Sequence, residues 1–223
     1  MFKPADPISL IAFLTIVAGV LVAYVGGTLK AGASKRQTLI FALGITVWLS
    51  ILSIVVFAGF IDASSVPSLM MFFMGTNLVG VLLACSSIGR RLSKLPLSFL
   101  VAFQGFRLPL ELVLHSWARQ GVIPETMTWT GCNFDILAGS LALIAAPFVN
   151  KFLAVAWAVN IVGFLLLLNV MRVAILSSPL PFAWNASPSL NLVFHVPYFL
   201  IAPVCVAGAL AGHIILTRKL VKT

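Results

Sequence analysis

Long apolar runs alternate with short polar gaps along this chain, and most runs have the length of about 20 residues that crosses a bilayer as a helix. The pattern predicts spans at 8–29, 38–60, 67–88, 152–176 and 196–217. A shorter run at 134–149 gains length if Asn133 or Asp135 caps its start. The stretch 97–117 is apolar in outline but carries Gln104, Arg107, Glu111 and His115, with Pro109 expected to bend it and free a carbonyl. The first run is long enough to span, and no cleavage site follows a short core. It therefore reads as a span and not as a signal peptide.

Charge decides how to treat 97–117. Lys30, Lys35 and Arg36, then Arg90, Arg91 and Lys94, then Lys151, then Arg218, Lys219 and Lys222 fall in four gaps that hold no acidic residue. Lys and Arg accumulate on the cytoplasmic side of membrane proteins. If 97–117 crosses, all four gaps share one side, with Asp6, Asp62, Glu125 and Asp135 on the other. If it does not, Lys151 and the C-terminal basic residues join Asp62. The expectation is an all-α, polytopic membrane helix bundle of seven spans. It forms one domain over residues 1–223, with the N-terminus outside and the C-terminus cytoplasmic.

Composition agrees with this class and excludes others. Hydrophobic residues make up 61% of the chain and charged residues 9%, too few to solvate a water-soluble surface. The net charge of +9 sits in border loops and not on one continuous face, so it points to anionic lipid headgroups at the cytoplasmic loops and away from nucleic acid. Cys85 and Cys205 lie in apolar runs and read as packing residues; only Cys132 is in a polar stretch. No His-x-x-x-His or Cys-x-x-Cys spacing occurs, so neither a metal nor a cofactor is expected.

Charged groups inside a bilayer are costly and usually mark pairs or functional sites. Arg107, Glu111 and His115 follow one another at helical spacing along one stripe, either as a structural ion pair or as half of a polar pocket. Asn169 and Arg172 share a face near the outer end of the 152–176 span, and His195 stands at the start of the last one. Arg172 could equally snorkel to the headgroups. His213 falls near the cytoplasmic end, away from this group. Ser50, Ser53, Thr76, Asn77 and Asn160 read as interhelical hydrogen-bond partners.

Two resemblances carry further expectations. The segment FRLPLELVLHSWARQGVIPETMTWTGCNFDILAG, with LLLLNVMRVAILSSPLPF and HVPYFLIAP, resembles a group of uncharacterised bacterial multi-pass inner-membrane proteins over residues 100–217. That resemblance implies a bacterial inner-membrane location. The order Cys132, Asn169-Val-Met-Arg172 and His195 is similar to that of exosortases and archaeosortases, membrane transpeptidases with a Cys, an Asn-x-x-Arg and a His at the outer face. It implies Cys132 as nucleophile, His195 as its base and Arg172 as oxyanion stabiliser, although Asn133 and Phe134 stand where that family has Ser-Gly.

The reading that these residues favour is an outward-facing polar pocket built from Arg107, Glu111, His115, Asn169, Arg172 and His195. Two buried arginines against one glutamate predict a small anionic ligand, bound or transported. A cysteine transpeptidase at the periplasmic face and a structural subunit of a membrane complex are the alternatives.

Overall fold

The apolar runs fold as helices whose ends are set by caps that the chain itself supplies. The structure is a computed structural model describing residues 2–61 and 65–223; Asp62, one of the acidic residues in the charge argument, lies outside the described residues. Helix α1 (Pro7–Lys30) begins where the Asp6 side chain accepts the Ile8 and Ser9 N–H groups. Helix α2 (Lys35–Phe57) opens on a capping box between Ser34 and Gln37. Helix α3 (Val66–Cys85) gives way at Ser86 to the short α4 (Ser87–Leu92).

The charged stretch is a single apolar helical segment, Leu97–Arg119, in three pieces. Helix α5 (Leu97–Phe103) tightens into a 3-10 turn at Gln104–Phe106 and resumes as α6 (Arg107–Arg119). Pro109 is the cause expected from the sequence: it lacks the N–H that would bond the Gly105 carbonyl, and its ring crowds that turn. The last apolar segment, Tyr198–Leu220, is built similarly. A 3-10 turn leads into a π turn at Ala202–Val206, which contains Pro203, and then into α9 (Ala207–Leu220). With 72% of its most apolar stretch buried, against 17% for α2, this segment is the centre of the bundle and α2 its edge.

Among the described residues six helical segments are long and apolar enough to cross a bilayer, and no strand occurs. This architecture is compatible with a multi-pass integral membrane protein. The run expected at 134–149 differs: α7 (Asp135–Ala145) has only 11 residues before the chain turns into α8 (Leu153–Leu176). Eleven residues rise about 16 Å, half of a hydrocarbon core of about 30 Å. The loop between α6 and α7 accounts for the shortening. It folds back among the helices with Val122, Ile123, Met127, Thr128 and Asn133 all nearly inaccessible, so α7 starts beside Arg107, midway along Leu97–Arg119.

Contacts define two ends of the bundle. At the capped end the Asp6 N–H donates to Gln120 (2.8 Å), the Ala5 N–H to the Tyr198 hydroxyl (2.9 Å) and the Trp117 indole to Ser9 (3.0 Å). Hydrogen bonds from the Ser9 hydroxyl and backbone hold the Asp6 carboxyl below its usual value. At the opposite end Arg91 donates to the Gly32 carbonyl (3.3 Å), Arg218 to that of Ala84, and Leu92, Leu95, Val149 and Leu220 share one apolar cluster. The four basic gaps therefore meet at one end.

Candidate functional site

A chain of buried polar groups runs through the middle of this bundle, and its centre is Arg107. The guanidinium is 1% exposed and bonds Asp135 through two nitrogens, Nε at 2.6 Å from Oδ2 and Nη2 to Oδ1. Its remaining nitrogen, Nη1, donates to the Gly163 carbonyl (2.8 Å) and lies 3.2 Å from His213 Nε2. His213 Nδ1 meets Asn160 (2.9 Å), whose amide donates to Thr217 (2.8 Å) toward the basic end. Such satisfaction is what a buried charge needs, because a planar five-donor group left unpaired in low dielectric is strongly unfavourable.

Toward the capped end the partner of Glu111 is not Arg107 but Asn133, whose amide donates to one carboxyl oxygen and to the Met127 carbonyl (3.1 Å). The Asn133 carbonyl oxygen accepts the Asp135 N–H at 3.1 Å, so the same side chain ties the first residue of α7 to Glu111, although the helix's N-cap, Phe134, supplies no capping side chain. The other oxygen of Glu111, Oε2, has no hydrogen-bond partner although the residue is only 1% exposed.

Glu111, Arg107, Asp135 and Ser178 line a cleft that is otherwise apolar, with walls that include Leu69, Phe73 and Leu114, together with Leu167, Met171 and Cys205. Its free space of about 80 Å³ exceeds the 10–15 Å³ or so that one water needs. Helices α3 and α8 both pack on α9 without a packed seam between them, and the cleft lies where that seam is missing.

The other expected site residues lie around this cleft and do not line it. His115 stacks on Trp129 with ring centroids 4.2 Å apart, and its Nδ1 is unpartnered. Asn169 donates to the Cys132 carbonyl (2.8 Å) and accepts from Arg172 (2.9 Å), whose guanidinium also lies over Trp184. His195 stacks on Phe2 at 3.8 Å, and burial lowers its pKa from the ordinary imidazole value. Among the described residues no hydrogen bond joins His195 to Cys132 or Arg172.

Sequence reasoning set His213 apart from the charged stripe, and the structure puts it in contact with Arg107. The signal for this was present. A buried arginine has more donors than one carboxylate accepts, and His213, left without a partner by the sequence reading, was available to take one. Gly163 makes the contact possible, since a Cβ there would stand 2.8 Å from the His213 ring. Asn160 does join two helices as expected, whereas Thr76, Asn77 and Ser53 bond carbonyls of their own helices.

Compared with known proteins, the chain matches no family model, no curated protein and no solved structure. No group of three or more His, Cys, Asp or Glu side chains suited to a metal ion occurs among the described residues. The site is therefore read from its own chemistry: a satisfied ion pair beneath one unsatisfied carboxyl oxygen, in an apolar cleft.

Proposed function

We propose that this chain is a bacterial inner-membrane protein of seven crossings, with its basic end in the cytoplasm. In this reading its cleft, which at about 80 Å³ suits a head group and not a whole ligand, takes the head of an amphiphile that donates a hydrogen bond to Glu111 while the apolar body extends outward along α3 and α8. The unpartnered Glu111 Oε2 carries this reading, because a buried acceptor without a donor costs about 1–3 kcal/mol that a ligand's amine or hydroxyl would recover. The anion expected from the sequence suits this geometry less well. Arg107 is committed to Asp135, and Arg172 lies beside Asn169 and Trp184, outside the cleft.

The seventh crossing in this topology combines the folded-back 120–134 loop with α7. Irregular backbone at membrane depth is tolerated where protein buries it, as the near-zero exposure of Thr128 and Asn133 satisfies here. A membrane-impermeant maleimide should label Cys132 in intact cells, with Cys132→Ala removing that label. Labelling that requires lysis would reverse the orientation.

The cleft has its own test in the purified protein. Dicyclohexylcarbodiimide, which reacts with carboxyls reachable from an apolar phase, should modify Glu111 but not a Glu111→Gln variant. Dodecanol, whose hydroxyl can donate and which does not consume the reagent, should protect Glu111, and dodecanesulfonate should not. Absence of modification would refute an accessible cleft, and equal protection by dodecanesulfonate would favour the anionic ligand instead.

A second reading, the cysteine transpeptidase, draws support from one contact: Asn169 bridges the Cys132 backbone and Arg172. It requires His195 to leave Phe2 and approach the Cys132 thiol.

A further inference from the structure

A ligand-sized space lies away from Glu111, at the basic end. Helix α2 packs on α1 and on the turns near Leu192–Ile201, but along its first half it has no packed seam with α3. Between them is a cavity of about 470 Å³, within the range of roughly 300–1,000 Å³ typical of small-molecule sites. Phe41, Ile45 and Trp48 of α2 and Val79 and Leu83 of α3 give it apolar walls, and Gln37, Ser87 and Arg91 stand at its basic end.

Arg91 uses one nitrogen on the Gly32 carbonyl at 3.3 Å, which leaves donors of its guanidinium for another acceptor. Lys35, Arg36 and Arg90 are exposed nearby in sequence. Among the described residues none of these cations has a carboxylate partner, and the ion pair found there is Arg107–Asp135. An apolar slot under an uncompensated cationic rim is complementary to one class of molecule, an amphiphile with an anionic head.

We propose that the α2–α3 cavity is a binding site for one anionic glycerophospholipid. One acyl chain lies between Ile45, Trp48 and Val79, and the phosphate meets Arg91. This site does not depend on the Glu111 cleft. The occupant is a lipid and not free phosphate, because the cavity walls are apolar for most of their length and a bare anion would leave them unfilled.

Native mass spectrometry of the full-length protein, released from detergent with added phosphatidylglycerol or phosphatidylcholine of matched chains, tests this. The expected result is one retained phosphatidylglycerol per chain, in clear preference to phosphatidylcholine. Arg91→Gln should weaken retention about fivefold, the worth of one basic residue at an anionic surface. Lys151→Gln removes the same charge at the same end, away from the cavity, and should leave retention nearly unchanged. Gly44→Leu fills the cavity from α2, where an added Cβ meets nothing within 4 Å, and should abolish retention without lowering the melting temperature. Equal retention of both lipids, equal effects of the two charge variants, unaltered binding in Gly44→Leu, or displacement by inorganic phosphate would each overturn the proposal.

Discussion

Asp135→Ala should destabilise this protein by about 3–5 kcal/mol, the usual cost of breaking a buried ion pair by removing one partner. With a total stability of roughly 5–15 kcal/mol for a typical domain, that loss would lower the melting temperature steeply and reduce the amount of folded protein recovered. The cause is the guanidinium left behind. Arg107 is 1% exposed, and the Gly163 carbonyl and His213 are neutral acceptors that do not replace a bidentate carboxylate. Removing both charges should be milder than removing one: Arg107→Met combined with Asp135→Leu should melt well above Asp135→Ala alone. Thermal unfolding of Asp135→Ala, of Arg107→Met and of the double variant in one detergent measures both effects. A single variant that melts with the wild type, or a double variant that loses the sum of the two single losses, would contradict the buried-pair account.

Gly139→Val should be similarly damaging for a steric reason. A Cβ at Gly139 would stand 2.3 Å from the Leu108 backbone nitrogen and 2.9 Å from its Cα, so no side-chain rotation relieves the clash. Helices α6 and α7 would have to separate next to Arg107 and Asp135, adding loss of the ion pair to an overpacking cost of about 1–3 kcal/mol. Gly105 lies on the same seam, but a Cβ there meets the flexible end of Leu143, so Gly105→Ala should cost clearly less. Comparing the two melting temperatures checks the seam; equal losses would mean that backbone proximity at Gly139 is not the deciding contact.

How legible each feature was depends on the range of the interaction that creates it. The caps at Asp6 and at the Ser34–Gln37 box and the break at Pro109 all act within one turn, but only the bend at Pro109 was read from the sequence; the apolar runs placed the first two helix starts at 8 and 38, against Pro7 and Lys35. The charged stretch, expected to span on the strength of the basic gaps, is a helical segment long and apolar enough to cross. By contrast, spacing suggested that Arg107 pairs with Glu111 four residues on, yet its partner is Asp135, 28 residues away. Helical spacing shows which side chains can meet, but not which partner a folded-back loop will bring closer.

The sequence by itself therefore determined an all-helical chain of apolar segments and a charge asymmetry between loops. These depend on local backbone chemistry and on the transfer of side chains between water and lipid. The tertiary structure decided that α7 is half-length, that His213 and Asn160 continue the Arg107 network, and that Glu111 keeps one oxygen free beside an apolar cleft. Those outcomes arise where segments distant in sequence compete for the same buried donors and acceptors, and only packing in three dimensions settles which of them are satisfied.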